Sequence, residues 1–251
     1  MQIEIHPDDD TVAQKAAVII AADLRTAIAA RGRFVFAVSG GRTPWRMLRA
    51  LAEEGLPWER VHVFQVDERI APAGDPDRNL THLRASLLDH APLPVDNVHV
   101  MPIEGTDLAR AARQYAEALH QAAGSPAVLD LVHLGLGPDG HTASLVPGDP
   151  ALDVTEADVA ISGPYQGRRR MTLTFPIINR SRRILWLVTG GEKAETLVRL
   201  RDGDRSIPAS RVRRDGALIL ADRAAAERLG HEHDPEKWGP VFGKDHAQMK
   251  K

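Results

Sequence analysis

Short apolar segments alternate along this chain with longer segments that have helical periodicity. Several of the short segments are apolar at every position, which is typical of strands covered by helices on both faces of a parallel sheet. Alternating β and α elements predict an α/β fold with a doubly wound, mostly parallel sheet and right-handed crossovers. The predicted strands are 34–38, 61–66, 98–101, 129–134, 171–175, 184–188 and 217–220, and the predicted helices are 11–30, 44–54, 79–88, 107–123, 193–200 and 223–229.

The chain length and its ends favour one domain over residues 1–251. The sequence has 251 residues, shows no internal repeat or low-complexity linker, and finishes in a polar tail at about 231–251. A domain of this size buries a substantial core. The first residues do not combine a basic start with an apolar run, and no apolar stretch approaches the roughly 20 residues that a bilayer requires. We therefore expect a cytoplasmic protein with no membrane partner.

Composition excludes several classes of function. The 32 Lys and Arg residues are balanced by 34 Asp and Glu, so the excess of positive charge that nucleic-acid backbones require is absent. Aromatic residues make up 4% of the chain, which argues against a base-stacking platform. The absence of cysteine excludes disulfides, thiolate catalysis and cysteine-ligated metals. His231 and His233 beside Asp234 are candidate metal ligands, but they lie in a polar Gly/Pro-rich stretch, and we expect no metal.

Ligands of doubly wound sheets bind beyond the carboxyl ends of the strands, so the loops that follow the strands are the candidate site. After the strand at 34–38 come Ser39, Gly40, Gly41, Arg42, Thr43 and Pro44. The glycines allow close backbone approach, and Thr43 as N-cap with Pro44 at the first helical position predicts a helix start. Free amides at such a start favour an anion such as phosphate. An ordinary strand–turn–helix connection would use the same residues.

The loop after residues 61–66 is Asp67-Glu68-Arg69. A carboxylate and a cation at the end of a strand would suit a general base and a substrate clamp. A solvated turn with a local ion pair is the simpler explanation of the three residues, and the motif by itself favours that interpretation.

The stretch 135–148 carries the most chemistry. It contains a Gly-x-Gly-x-x-Gly pattern directly after a strand, but it lies far from the first βαβ unit, and Pro147 would limit the following helix to about two turns. We therefore reject a dinucleotide site. Asp139 and His141 are two residues apart in a glycine-rich turn, and this spacing predicts an acid–base pair.

Three further features concern charge and burial. Arg168, Arg169 and Arg170 precede a predicted strand, where one of them is expected to point inward as an anion clamp. Lys193 follows a glycine turn at a helix start, an unfavourable place for a cation unless an anionic ligand binds there. His133 lies inside an apolar strand and is predicted to be a core histidine with a hydrogen-bond partner.

Six segments taken together resemble the 6-phosphogluconolactonase family, which belongs with the glucosamine-6-phosphate deaminases/isomerases. They run in the family's order and extend over most of the chain, and the segment at 134–148 is the most specific. This resemblance implies a Rossmann-like α/β/α sandwich and hydrolysis of 6-phospho-D-glucono-1,5-lactone to 6-phosphogluconate, with no cofactor and no catalytic metal. The segments are SGGRTP (39–44), DER (67–69) with DPDRN (75–79), LGLGPDGHTASLVPG (134–148), RMTLTFPIINRSR (170–182) and TGGEKA (189–194).

The resemblance assigns roles within one site. His141 is expected to activate water, and either Asp139 or Asp67 is expected to orient it. Turn amides around Gly140 are candidate donors to the developing oxyanion. The substrate and its phosphate are expected to contact Ser39, Gly40, Gly41, Thr43, Arg69, Gly140, Arg170 and Lys193.

The sequence departs from the family pattern at three places. Gln65-Val66 replaces Trp-Gly, Arg78-Asn79 replaces Ser-Asn, and Val146 replaces Phe. We expect Arg78 to add a cation at the rim of the site. In the deaminases/isomerases a proton-transferring Glu stands where this chain has Val146.

Three alternative functions are compatible with parts of the sequence. A sugar-phosphate isomerase/deaminase would use the same fold. A non-catalytic sugar-phosphate-binding regulator would keep the phosphate ligands but would not need Asp139 or His141. A nucleotide-dependent oxidoreductase would bind nicotinamide. In each case the partner is a small molecule, and we expect a monomer, with a homodimer as the alternative.

Overall fold

The computed structural model describes residues 1–230. Its strands are β1 (Gln2–His6), β2 (Phe34–Val38), β3 (Val61–Gln65), β4 (Asp67–Arg69), β5 (Val98–His99), β6 (Leu131–Gly135), β7 (Val159–Tyr165), β8 (Arg168–Leu173), β9 (Arg183–Val188) and β10 (Ala217–Asp222). Its α-helices are α1 (Asp9–Arg31), α2 (Arg42–Ala52), α3 (Asn79–Leu83), which continues as a π-helix over Arg84–Leu88, α4 (Leu108–Ala123), α5 (Phe175–Arg180), α6 (Ala194–Asp202) and α7 (Arg223–Ala226).

Seven strands form a parallel sheet in the order β1-β10-β9-β6-β2-β3-β5. From β2 the chain continues outward through β3 to β5, whereas from β6 it continues in the opposite direction through β9 to β10. The strand order therefore reverses between β2 and β6, and a crevice forms at such a point beyond the carboxyl ends of the two strands. The predicted fold class is confirmed.

The strand pattern explains the two layers of helices. Consecutive strand side chains point to opposite faces, so an uninterrupted apolar strand supplies a core on each side. Phe34 and Phe36 of β2 pack in one buried cluster with residues of α1 and α2. Val35 and Ala37 pack in the other with residues of α4, including Tyr115. Both faces of the sheet are thus covered, as the sequence predicts.

A second, antiparallel sheet has the strand order β4-β8-β7. The prediction of a strand at 171–175 is corrected in two ways. The observed strand is Arg168–Leu173, and it belongs to this small sheet because its neighbours are β4 and β7. The sheet stands at the carboxyl end of β3, since Val66 joins β3 to β4 and accepts a hydrogen bond from the amide of Leu173 at 2.8 Å.

Sequence patterns did not reveal β1, β4, β7 or α5. These elements are short or contain Gly and Pro, so their periodicity is weak. The segment before Pro147 contains no helix, which agrees with the rejection of a dinucleotide site. Residues 142–148 instead form turns, in which Ala143 has a φ of 52°.

Two observations concern membranes and metals. No helix among the described residues is long and apolar enough to cross a bilayer. Within residues 1–230, no group of three or more His, Asp or Glu side chains is arranged to hold a metal ion. The candidate ligands His231, His233 and Asp234, and the polar tail, lie outside the described residues.

Candidate active site

The loops after β2, β3, β6 and β9 enclose a cavity of about 430 Å³ at the reversal point of the sheet, together with the turn of the β7–β8 hairpin. Eight residues expected at the site line it: Ser39, Gly40, Gly41, Asp67, Arg69, His141, Arg170 and Lys193. No site role was assigned from the sequence to the eight other lining residues. They are Asn79, Gly135, Leu136, Gly137, Pro138, Ala143, Tyr165 and Gln166.

The turn after β6 is closed by its own backbone. The amide of Gly137 donates to the carbonyl of His141 at 2.8 Å, and the amide of Gly140 donates to the carbonyl of Gly137 at 3.0 Å. Gly140 has a φ of 85°, which favours glycine. The expected role of Gly140 is therefore corrected, because its amide is used within the turn and the residue does not line the cavity.

Gly137 allows the catalytic candidates to lie against the backbone. A Cβ atom added here would overlap the imidazole of His141 and lie 2.7 Å from Oδ1 of Asp139. Only glycine therefore leaves room for this pair at its observed place.

His141 and Asp139 form a hydrogen-bonded pair. Nδ1 of His141 lies 2.5 Å from Oδ1 of Asp139, and the same oxygen accepts the backbone amide of His141 at 3.1 Å. The hydroxyl of Tyr165 donates to Oδ2 of Asp139 at 3.0 Å. Burial raises the pKa of the Asp139 carboxyl, but the hydrogen bonds from His141 and Tyr165 outweigh it and the pKa is lowered. An ionised carboxylate only accepts hydrogen bonds, so Nδ1 carries a proton and Nε2 is left as the basic nitrogen.

Asp67 has different partners. Its Oδ2 accepts the hydroxyl of Ser144 at 2.6 Å, and its Oδ1 accepts the side-chain amide of Asn79 at 3.3 Å. Of the two carboxylates expected to orient His141, Asp139 is the one in hydrogen-bond contact with it. Ser144 is fully buried, and its hydroxyl is directed to this carboxylate.

Glu68 and Arg78 form a buried ion pair behind the site. Both carboxylate oxygens of Glu68 accept backbone amides at the start of α3, from Asn79 at 2.7 Å and Leu80 at 2.8 Å. Arg78 lies 3.7 Å from Glu68 and 2.7 Å from Glu104, and its side chain is 1% exposed. The expectation that Arg78 adds a cation at the rim is wrong, because these two acids hold it in the interior.

Two glycines of the loop after β2, Gly40 and Gly41, line the cavity. Within residues 1–230, the backbone N–H groups of Gly40 and Gly41 have no hydrogen-bond acceptor. Helix α2 begins at Arg42 with Gly41 as its N-cap, at a φ of 132°. The predicted N-cap role of Thr43 is therefore corrected. Thr43 lies inside the first turn, its hydroxyl pairs with that of Thr189 at 2.8 Å, and it does not line the cavity.

His133 and Ser39 hold this loop against β6. Nδ1 of His133 accepts the amide of Ser39 at 3.2 Å, and the hydroxyl of Ser39 donates to the carbonyl of His133 at 3.0 Å. Burial lowers the pKa of His133 to about 3. The prediction of a core histidine with a hydrogen-bond partner is confirmed.

Three cations converge on the cavity. Arg170 is the buried member of its run, 4% exposed, whereas Arg169 is exposed and Arg168 pairs with Asp75 and Asp77. Burial lowers the pKa of Arg170, although the charge of Asp67 opposes this and the guanidinium remains charged at neutral pH. Lys193 lies in the turn before α6. The guanidinium of Arg69 donates a hydrogen bond to Oδ1 of Asn79 at 2.9 Å.

Comparison with known proteins agrees with this geometry. Residues 7–220 match the family model described as glucosamine-6-phosphate isomerases/6-phosphogluconolactonase. The chain belongs to this family. The match covers most of the chain, so the resemblance inferred from the sequence is confirmed.

Individual members of the family are also similar over nearly their whole length. A 6-phosphogluconolactonase of Synechocystis is 37% identical over 91% of this chain and 98% of its own. A 6-phosphogluconolactonase of Mycobacterium tuberculosis is 39% identical, and the alignment covers 90% of this chain and 98% of that protein. The crystal structure of 6-phosphogluconolactonase from Thermotoga maritima superposes with a TM-score of 0.79 at 28% identity, covering 88% of this chain and 98% of that one.

Proposed function

We propose that this protein hydrolyses 6-phospho-D-glucono-1,5-lactone to 6-phosphogluconate, the second step of the oxidative pentose phosphate pathway. The observation that carries the proposal is that His141, which is hydrogen-bonded to Asp139, lines the same cavity as Arg69, Arg170 and Lys193. A general base beside a cluster of cations suits a neutral lactone that bears a dianionic phosphate.

The chemistry assigned to His141 is proton transfer at Nε2. This nitrogen takes a proton from the attacking water as the water oxygen bonds to the lactone carbonyl carbon. The carboxylate of Asp139 stabilises the resulting imidazolium. When the tetrahedral intermediate collapses, the bond to the ring oxygen breaks, and the imidazolium returns its proton to that oxygen as a hydroxyl. The protons balance, and no cofactor is required.

The phosphate is assigned to the glycine turn after β2 and to two cations of the cavity. The open amides of Gly40 and of Gly41, the N-cap of α2, supply neutral donors, as helix starts commonly do for phosphate. Arg170 and Lys193 supply positive charge from two other strand ends. Charge-assisted hydrogen bonds are stronger where water is excluded, which favours the buried Arg170 over its exposed neighbours.

Water attack fits this site better than a serine nucleophile. The hydroxyl of Ser39 donates to His133, and that of Ser144 donates to Asp67, so each is already directed to an acceptor. Neither serine is hydrogen-bonded to His141, which a serine mechanism would require.

The residue before Pro147 argues against deaminase/isomerase chemistry. Val146 is buried, and its side chain carries no group that exchanges a proton. The deciding experiment is product analysis after mixing the protein with freshly generated 6-phosphogluconolactone, at a pH low enough to slow spontaneous hydrolysis. We expect 6-phosphogluconate well above the uncatalysed rate, and no ammonia from glucosamine 6-phosphate. Ammonia release at a rate comparable to lactone hydrolysis would overturn the assignment.

A further inference from the structure

Tyr165 contacts both chemical halves of the candidate site. Its hydroxyl donates to Oδ2 of Asp139 at 3.0 Å, and its ring meets the ring of His141 edge-on, with the centroids 5.2 Å apart. The guanidinium carbon of Arg170 lies over the same ring, 5.0 Å from its centroid. One side chain therefore lies between the base assigned to hydrolysis and the cation assigned to the phosphate.

The β7–β8 hairpin is built to place this side chain. The strand register shifts between Ser162 and Tyr165, and irregularities of this kind re-aim side chains. Gln166 and Gly167 then turn the chain with φ values of 52° and 79°. Asp149 secures the irregular stretch, since its Oδ2 accepts the amide of Gly163 at 2.7 Å. Side chains of a regular strand alternate between the two faces of its sheet, so without the register shift Tyr165 would point to the other face of the small sheet.

The two oxygens of Asp139 have separate partners. Oδ1 accepts from His141, and Oδ2 accepts from Tyr165. A donor on the second oxygen fixes the rotation of the carboxylate and stabilises its ionised form, which keeps Nδ1 of His141 protonated and Nε2 basic. Asp139 is about one-third exposed, so burial alone does not fix its orientation.

We propose that Tyr165 is a positioning residue that aligns the His141–Asp139 pair through its hydroxyl and Arg170 through its ring. This inference rests on the proposed function for its kinetic consequences, whereas the contact with Asp139 is independent of the reaction. The ring contact adds to two long polar contacts of Arg170, to the carbonyl of Tyr165 at 3.5 Å and to Gln166 at 3.4 Å.

Two substitutions separate the two roles. Tyr165→Phe removes only the hydroxyl, so kcat should fall about three- to thirtyfold while KM for the phosphorylated lactone stays within about twofold. Tyr165→Leu removes the ring as well, so that KM should also rise about three- to tenfold. The rise in KM should be absent with unphosphorylated gluconolactone. If Tyr165→Leu leaves KM for the phosphorylated lactone at the wild-type value, the ring role is wrong.

Tyr115→Phe is the matched control. Tyr115 is fully buried, and its hydroxyl bonds the backbone of Gln65 at 2.7 and 2.9 Å, away from the cavity. Losing that hydroxyl should lower Tm, because buried hydrogen bonds are lost. It should leave kcat within about twofold of the wild-type value, because no residue of the site is changed. An equal loss of kcat in both Phe variants would make the effect of Tyr165 structural.

A carboxyl titration followed by ¹³C NMR tests the hydroxyl role without the reaction. In Tyr165→Phe the pKa of Asp139 should rise, because a hydrogen bond to its charged form is lost. An unchanged Asp139 titration would overturn the proposal even if the protein is an active lactonase. If the wild-type protein lacks lactonase activity but the titration shifts, the proposed function fails and the alignment of Asp139 by Tyr165 stands.

Discussion

The carboxylate of Asp139 lies 2.5 Å from Nδ1 of His141, whereas the carboxylate of Asp67 is bound to Ser144. Both acids were candidates to orient the same imidazole, and only one of them is hydrogen-bonded to it. This difference in partners makes the two carboxylates experimentally separable.

Asp139→Asn should lower kcat by about 10- to 1000-fold, because a neutral amide stabilises the imidazolium poorly and also favours the wrong tautomer. Asp67→Asn should act mainly on stability and on KM, through Ser144, Asn79 and the charge of Arg170. Steady-state kinetics as a function of pH compares the two variants. A larger loss of kcat in Asp67→Asn than in Asp139→Asn would reverse the assignment.

His141→Ala and His141→Asn should each lower kcat by about 10²- to 10⁴-fold, the usual contribution of general acid–base catalysis. Substrate binding should persist, since the phosphate ligands are untouched. Stopped-flow or coupled assays at several pH values measure both effects. A variant with near wild-type kcat would remove His141 from the mechanism, and a covalent acyl-enzyme on Ser39 or Ser144 would replace water activation.

Arg170→Ala should lower kcat/KM for the phosphorylated lactone by about ten- to a hundredfold, since a hydrogen bond to a charged group contributes about 1.5–3 kcal/mol. The loss on unphosphorylated gluconolactone should be much smaller. Arg168→Ala is the matched control, because Arg168 pairs with Asp75 and Asp77 outside the cavity. Equal losses on both substrates would show that Arg170 is structural or acts on the lactone itself.

Gly137→Ala tests the close packing of the pair against the backbone. The added methyl group would overlap the His141 ring, so we expect a fall in kcat of at least about tenfold from a small displacement of the base. Gly55→Ala is the control, since a Cβ there has no heavy atom within 4 Å. Wild-type kcat in Gly137→Ala would mean that His141 acts from another position.

His133 should make the fold sensitive to acid. Burial holds the pKa of His133 at about 3 in the folded protein, against 6.5 for a free histidine. As pH falls from about 6.5 towards 3, the unfolded chain takes up a proton that the folded chain does not, so stability is lost at about 1.4 kcal/mol per pH unit. Above pH 6.5 this contribution to the pH dependence vanishes.

Urea unfolding between pH 4 and 7 measures that slope. His99, with a pKa lowered to about 4 chiefly by burial, should add a similar contribution. His133→Asn keeps an acceptor near the Ser39 amide but does not titrate, so its slope should be smaller by about 1.4 kcal/mol per pH unit. An unchanged slope would mean that His133 is protonated in the folded protein.

Local features of the sequence predicted the parts of the site that are close in the chain. Asp139 and His141 share one turn, so two residues of spacing and the surrounding glycines sufficed to pair them. Gly40 and Gly41 were likewise readable as open backbone at a helix start. The uninterrupted apolar strands determined the α/β class, because only a sheet covered on both faces buries such segments.

Contacts between distant segments were decided by the tertiary structure. Asp67 meets Ser144 across 77 residues, and Tyr165 reaches Asp139 across 26. The small antiparallel sheet brings these segments together, and no local periodicity encodes which strands become neighbours. Arg78 shows the same limit, because an arginine in a loop is normally exposed and only the folded position of Glu68 and Glu104 gives it buried partners. The sequence by itself determined the α/β class, the glycine turns and the pairing of Asp139 with His141. Packing between distant strands decided which charges face the cavity.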